Sequence, residues 1–290
     1  MTDPAWRGIY AEVMGVDLPP RHTLITGNGT GVPDGFGPGF SADVGRGVDD
    51  NIWYWQPCGY PAAVTPMGPS VAAGVTEVLR QIDLHPRNDL YTGKFVLSGY
   101  SQGAIVTGHV WRDHLLSGDH NNRLSDCLAV VNFGDPLRCP GIANGNTMAG
   151  MPMPKQLDGQ TVGGIAGPDD LTAAQTPGNF LSFALDGDLY ASAPVGDNPW
   201  TAEAAAGADE TLIYNLIQSF SFSTILGFAE YAIQFLNKPL AQVIPLIEAI
   251  INGLTFAAAG PNAPHWQYQA AAAAAVGYLN QLGAAVPARA

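Results

Sequence analysis

Two periodicities of apolar residues alternate along the first two-thirds of the chain. Short, nearly unbroken apolar runs at residues 21–26 (R-H-T-L-I-T), 51–56, 94–98 (K-F-V-L-S), 127–133 (C-L-A-V-V-N-F) and 179–185 (N-F-L-S-F-A-L) are stopped by Gly, Pro or Asp. Runs of that length without a polar face predict strands buried on both sides. From Pro69 onward, Val71, Val75, Val78, Leu79 and Ile82 repeat at helical spacing. Residues 104–116 predict a second helix ending near Gly118, and the alanine-rich stretch 268–282 predicts a last one. Strands alternating with helices in this way predict an α/β fold in three layers, with a mostly parallel central sheet. Residues 140–178, rich in Gly, Pro and Met, read as loop.

The pattern changes after Gly207. Leu212, Leu216 and Phe220, then Phe228, Ile233 and Leu236, then Val243, Ile247, Ile250 and Leu254 keep helical spacing, divided by Gly227, Pro239 and Pro245. The expected organisation is one α/β domain, residues 1–206 and 259–290, carrying a helical insertion at 207–258. No internal repeat is visible.

Composition narrows the function classes. A chain of 290 residues is long enough for one such domain to bury a sizeable core. Only 13% of residues are charged, with 25 acids against 12 bases, so the net charge of −13 would repel phosphate backbones and anionic lipid headgroups. A nucleic-acid partner is not expected. Residues 1–10 contain no apolar core of a secretory signal, and the longest apolar stretches are interrupted before transmembrane length. The expectation is synthesis in the cytosol without a signal peptide and without a membrane span. Cys58, Cys127 and Cys139 are an odd number in no C-x-x-C pair. Cys127 and Cys139 could pair in an oxidising compartment, but buried thiols in a reducing cytosol are the expected state.

The chemistry centres on Gly99-Tyr100-Ser101-Gln102-Gly103, a G-x-S-x-G sequence directly after a strand and before a helix. In that context the small flanking residues allow a tight turn that exposes the serine at the carboxyl edge of the sheet. Ser101 is therefore the candidate nucleophile, and it needs a histidine base oriented by a carboxylate. The chain order in this fold is Ser, acid, His. Only His265 follows the last strand candidates. His22, His85, His109, His114 and His120 are expected at packing or surface positions. Asp186 and Asp188 both follow the strand at 179–185, and spacing does not separate them. Asp135, before a proline, suits a structural turn. The expected oxyanion hole combines the backbone N–H of Gln102 with that of Thr30 in the Gly29-Thr30 loop. The glycines at 27–31 are not followed by Lys-Ser/Thr, so no phosphate cradle and no cofactor is expected, nor does any metal-ligand spacing appear.

G-Y-S-Q-G is the typical elbow of cutinase-like hydrolases, and further stretches match in order. These are G-N-G-T-G-V-P-D at 27–34, Y-W-Q-P-C-G-Y-P-A-A at 54–63, P-M-G-P-S-V at 66–71, G-Y-S-Q-G-A-I-V at 99–106, D-G-D-L-Y-A-S at 186–192 and P-H-W at 264–266. The sequence resembles the lysin B esterases of phages that infect mycobacteria and related actinobacteria. That resemblance implies a cutinase-like α/β-hydrolase fold with a helical linker subdomain. It also implies a triad of Ser101, Asp188 and His265, since the second aspartate of D-G-D-x-Y-A is the acid in that family. The implied substrate is the ester joining mycolic acids to arabinogalactan, cut at the cell envelope during host lysis beside a peptidoglycan-cleaving lysin. Residues 140–178 have no counterpart in those motifs. Phe220, Phe228 and Leu254 are candidates to line an acyl-chain groove. Two other readings are a general cutinase or lipase of an actinobacterium and a non-catalytic wall-binding protein on a hydrolase scaffold.

Overall fold

A computed structural model describes residues 13–15, 18–155, 161–195, 200, 215–218, 229, 244 and 263–288. In chain order the elements are β1 (Arg21–Gly27), α1 (Phe40–Gly47), β2 (Trp53–Cys58), α2 (Met67–Leu84), β3 (Tyr91–Tyr100), α3 (Gln102–His109) and β4 (Cys127–Phe133). They are followed by α4 (Asn144–Ala149), β5 (Val162–Gly163), β6 (Phe180–Phe183), β7 (Ala193–Pro194) and α5 (Gln269–Ala285). Five strands form one sheet in the order β2-β1-β3-β4-β6, every pairing parallel.

Neighbouring residues along each strand face opposite layers. Ile25, Leu97, Val130 and Phe180 pack with Met67, Val71, Val78 and Ile82 of α2 and Ile105 and Val106 of α3. Leu24, Val96, Val131 and Leu181 pack on the other face with Phe40 and Val44 of α1, with Tyr268, and with Ala271, Ala275 and Leu279 of α5. Because both faces are covered, the strands lack a polar side, which is why they read as continuous apolar runs.

The chain steps from β1 outward to β2, then returns to the far side of β1 as β3. Strand order reverses at that point, leaving a crevice at the carboxyl ends of β1 and β3, where open parallel sheets hold their ligands. In register, Gly27 at the end of β1 lies beside Gly99 near the end of β3.

Two details depart from the sequence reading. The helix expected at 104–116 begins at Gln102 and is wound as a wider π-helix over Val110–Leu116. Trp111 Nε1 and Arg112 Nη1 of that wider segment donate to the Gln175 and Asp169 carbonyls at 2.8 and 2.9 Å. The stretch expected as loop at 140–178 contains α4, β5 paired antiparallel with β7, and two single 3₁₀ turns. These pieces are too short for periodicity to announce. They are tied together by the buried Arg138 guanidinium, which donates to the carbonyls of Ala191, Ile142 and Val162. The cysteines follow the expectation: Cys127 and Cys139 are separate free thiols, as is Cys58, and all three are buried. Phe220, Phe228 and Leu254 lie outside the described residues, as does most of 207–258.

Candidate active site

Ser101 occupies the turn between β3 and α3 with φ 55° and ψ −117°, a backbone conformation that costs a non-glycine residue about 1–3 kcal/mol. Dense packing around the turn holds it there. A Cβ on Gly103 would come within 2.1 Å of the Gly27 carbonyl oxygen, and one on Gly99 within 2.4 Å of the Gly103 oxygen. A larger residue at 103 would push the turn off β1, and one at 99 would push β3 off the start of α3. Ser101 N–H donates to the Phe133 carbonyl at 3.0 Å, which fixes the turn to β4 as well.

Three side chains from separate elements converge at this turn. His265, in the 3₁₀ turn Pro264–Trp266 ahead of α5, has Nε2 2.9 Å from Ser101 Oγ. Its Nδ1 lies 2.9 and 3.0 Å from the two carboxylate oxygens of Asp188. All three are buried: Ser101 is 2% exposed, His265 3% and Asp188 1%. Tyr100 and Tyr190 flank the imidazole, with ring centroids 5.2 and 4.6 Å away. Tyr100 Oη also donates to the His265 carbonyl at 2.9 Å. Gly134, just past β4, has φ 56°, and a Cβ there would fall 2.7 Å from His265 Cε1.

Burial alone would push the Asp188 carboxyl up. The charge and hydrogen bond of His265, the Tyr268 hydroxyl and the Tyr190 N–H outweigh burial and hold it below the ordinary range. Asp188 therefore stays ionised although it is enclosed. Asp186, two residues earlier, faces outward. It is about half exposed, accepts the Lys155 N–H at 2.6 Å and pairs with Lys155 Nζ at 3.2 Å. Asp135 is buried in a structural turn, accepting from Asn132 Nδ2 at 3.0 Å and from the Leu137 N–H at 2.9 Å.

The Gly29-Thr30 loop stands against the turn, since a Cβ on Gly29 would lie 3.2 Å from Ser101 Cβ. Thr30 Oγ1 is buried and has no hydrogen-bond partner among the described residues. Gln102 begins α3, so its N–H belongs to the first helical turn, whose donors have no acceptor within the helix. Its side chain is committed elsewhere: Nε2 donates to the Ala63 carbonyl at 2.7 Å, and Oε1 accepts from Ser70 Oγ at 3.2 Å. The tyrosines at 100, 190 and 268 and Gly134 were not singled out from sequence. The motif D-G-D-L-Y contains Tyr190, and Tyr268 follows His265 by one helical turn, so spacing from the candidate acid and base offered a signal for both. Among the described residues, metal-ligating side chains also converge at His114, Asp119 and His120, which differs from the absence of ligand spacing in the sequence.

The parallel sheet covered on both faces, with a serine on a strained turn at the carboxyl end of a central strand, defines an α/β-hydrolase of the cutinase-like type. No family model matches the chain. It is 35% identical over 259 residues to Endolysin B of Mycobacterium phage L5, covering 84% of this chain and 92% of that protein. Against Endolysin B of Mycobacterium phage D29 it is 33% identical over 280 residues, covering 89% and 98%. The crystal structure of lysin B from Mycobacteriophage D29 matches with a TM-score of 0.69 at 32% identity, covering 90% of this chain and 100% of that one. The chain belongs to the endolysin B, or lysin B, family of phage lysins. Among the described residues no helix is long and apolar enough to cross a membrane.

Proposed function

We propose that this chain is a serine esterase that hydrolyses the ester between mycolic acids and arabinogalactan in the mycobacterial-type envelope during phage-mediated lysis. The observation that carries the reading is the relay from Ser101 Oγ through His265 to Asp188, with contacts of 2.9 to 3.0 Å, on a strained turn. Ser101 Oγ attacks the ester carbonyl while His265 Nε2 takes its proton. The negative charge on the tetrahedral carbonyl oxygen is received by the Gln102 N–H and by Thr30, whose unpartnered hydroxyl is a further donor. The α3 N-terminus favours the same charge. His265 then gives its proton to the departing sugar hydroxyl, leaving an acyl-serine. A water molecule, deprotonated by His265, attacks that acyl group, and collapse of the second tetrahedral intermediate returns Ser101 and frees the fatty acid.

In this reading residues 1–206 and 259–290 form the catalytic domain and 207–258 a lipid-facing insertion. On the same reading the enzyme acts at the cell envelope on lysis, in cooperation with a peptidoglycan-cleaving lysin. Three measurements test the proposal. Ser101→Ala should retain the fold and lose turnover of p-nitrophenyl esters, and a serine-directed phosphonate should label wild type at that residue alone. Wild type should release mycolic acids from purified mycolylated arabinogalactan. Turnover of simple esters without that release would leave a general carboxylesterase, and a fully active Ser101→Ala would remove the serine mechanism.

A further inference from the structure

The wide-wound segment Val110–Leu116 ends at a tight turn built on Gly118, where a Cβ would meet the Asp113 carbonyl oxygen at 2.1 Å. The turn folds the chain back on itself. His120 N–H donates to the His114 carbonyl at 3.1 Å, and Asn121 Nδ2 donates to the Leu115 and Leu116 carbonyls at 2.8 and 2.9 Å. The side chains of His114, Asp119 and His120 are thereby brought together, with one ligand atom from each within 4.8 Å of the others. His114 Nδ1 is 2.7 Å and His120 Nδ1 3.1 Å from the same Asp119 oxygen.

The second ring nitrogen of His120 carries a further observation. His120 Nε2 lies 3.3 Å from Asp83 Oδ1 and 3.4 Å from Oδ2, at the end of α2. Without a metal, an imidazole with a carboxylate at each nitrogen needs two protons and a positive charge to satisfy both. With a cation at Nδ1, a single proton on Nε2, donated to Asp83, suffices. That carboxylate–histidine–metal relation is how metal-bound histidines are usually oriented. Two imidazoles and one carboxylate suit Zn²⁺, whose ligand atoms stand about 2.0–2.2 Å from the ion, with water completing a tetrahedron. The chain's net charge of −13 favours a cation as ligand.

We propose that His114, Asp119 and His120 bind a divalent transition-metal cation of the Zn²⁺ type, with Asp83 orienting His120. α2 leads into the amino end of β3, and residues 121–126 into the amino end of β4, so this cluster lies at the opposite edge of the sheet from Ser101. The ion is a structural clip between the end of α2 and the turn after α3, with no part in ester hydrolysis.

Calorimetric titration of the full chain with Zn²⁺ near neutral pH tests this, together with thermal melts with and without the ion. Wild type should bind one ion saturably and melt at a higher temperature in its presence. His114→Ala and His120→Ala should each weaken binding more than tenfold and abolish the shift, while Asp83→Asn weakens it about tenfold, the effect of losing an orienting partner. Short-ester turnover of these variants at the wild-type rate verifies that they are folded. Co²⁺ in place of Zn²⁺ should give the spectrum of a nitrogen and oxygen site. Absence of saturable binding, a thiolate-to-cobalt band, or binding indifferent to all three substitutions would each overturn the proposal.

Discussion

Tyr268 Oη donates to Asp188 Oδ2 at 2.6 Å and accepts the Leu185 N–H at 3.2 Å, joining the first turn of α5 to the carboxylate behind His265. The tyrosine is fully buried, so no water replaces it when it is removed. We read it as a positioning residue: it holds the oxygen of Asp188 that His265 must face. A hydrogen bond to a charged group contributes about 1.5–3 kcal/mol. Tyr268→Phe should therefore lower kcat roughly 10- to 100-fold at an unchanged KM.

Acid titration gives the same substitution a second readout. The Asp188 carboxyl is held below its ordinary value, partly by Tyr268, so its stabilising contribution is present above the unfolded carboxyl range and lost as pH falls through the lower folded value. Without the tyrosine the folded value should rise toward the unfolded one, so the loss should be smaller and end at a higher pH. Equal kcat and an unmoved acid limb would show that Tyr268 is only core.

Asp188 and Asp186 are two residues apart, yet one is enclosed against His265 and the other faces Lys155. Asp188→Asn should lower kcat by a factor on the order of 10⁴, the usual loss for an acid that orients the base and stabilises its cation. Asp186→Asn removes an exposed ion pair, which contributes little, and should leave the rate within a few-fold of wild type. A larger loss for Asp186→Asn would assign the acid to the wrong residue.

The five sheet strands were legible because covering on both faces leaves each strand no polar side to confuse with a helix. β4 spans Cys127–Phe133, the run read from the sequence, and β3 is longer than expected because Tyr91 and Thr92 are buried polar positions at its start. Ser101 and His265 were legible from local sequence and chain order. The choice of Asp188 over Asp186 came from the family resemblance and not from spacing, because which of two carboxylates turns inward depends on the turn at Gly187 (φ 75°) and on partners 77 and more residues away. The His114–Asp119–His120 cluster was missed for a similar reason. A spacing of five then one is no regular helical face, and it becomes a cluster only through the Gly118 turn. Arg138 was not singled out in the sequence, yet it ties together the carbonyls of Ile142, Val162 and Ala191, which no side-chain pattern encodes.

Asp135 supplies a pH dependence of opposite sign to that of Asp188. Burial pushes its carboxyl up to about 6, against the hydrogen bonds from Asn132 and Leu137. A folded value above the unfolded one, about 3.9, means the folded state binds more protons between those values. Stability from this group is then full below about pH 4 and falls as pH rises through about 6, by about 3 kcal/mol in all. Asp170, fully buried, is pushed up too by its burial, against the nearby Arg138 charge, and adds a slope of the same sign. Urea midpoints from pH 4 to 7.5 for wild type and Asp135→Asn should diverge, the variant showing the flatter profile. Parallel profiles would mean that Asp135 titrates at an ordinary value.

Acyl-chain preference should reside in residues 207–258. The few described residues of that stretch already reach the core beside the site. Leu216, Ile217 and Ala229 are buried in the cluster that includes Met67 and Val71, and Ile244 packs against it. Gln218 Nε2 lies 2.9 Å from Met67 Sδ at the start of α2, and Ala63, four residues before Met67, holds the Gln102 side chain. The described residues of this stretch are thus anchored at the start of α2, and in the chain the stretch lies between Asp188 and His265. Its remaining apolar residues are more than a solvent-facing connection needs, and turned toward the cleft they would line a groove for lipid. Each substrate methylene buried there contributes about 0.8 kcal/mol, close to a fourfold gain in kcat/KM. Rates on p-nitrophenyl esters should climb with chain length until the groove is filled. Phe220→Ala, Phe228→Ala and Leu254→Ala should flatten that climb and spare the shortest ester. If folded variants lose short and long esters in equal proportion, those three residues only complete the core, as Leu216 and Ile217 do.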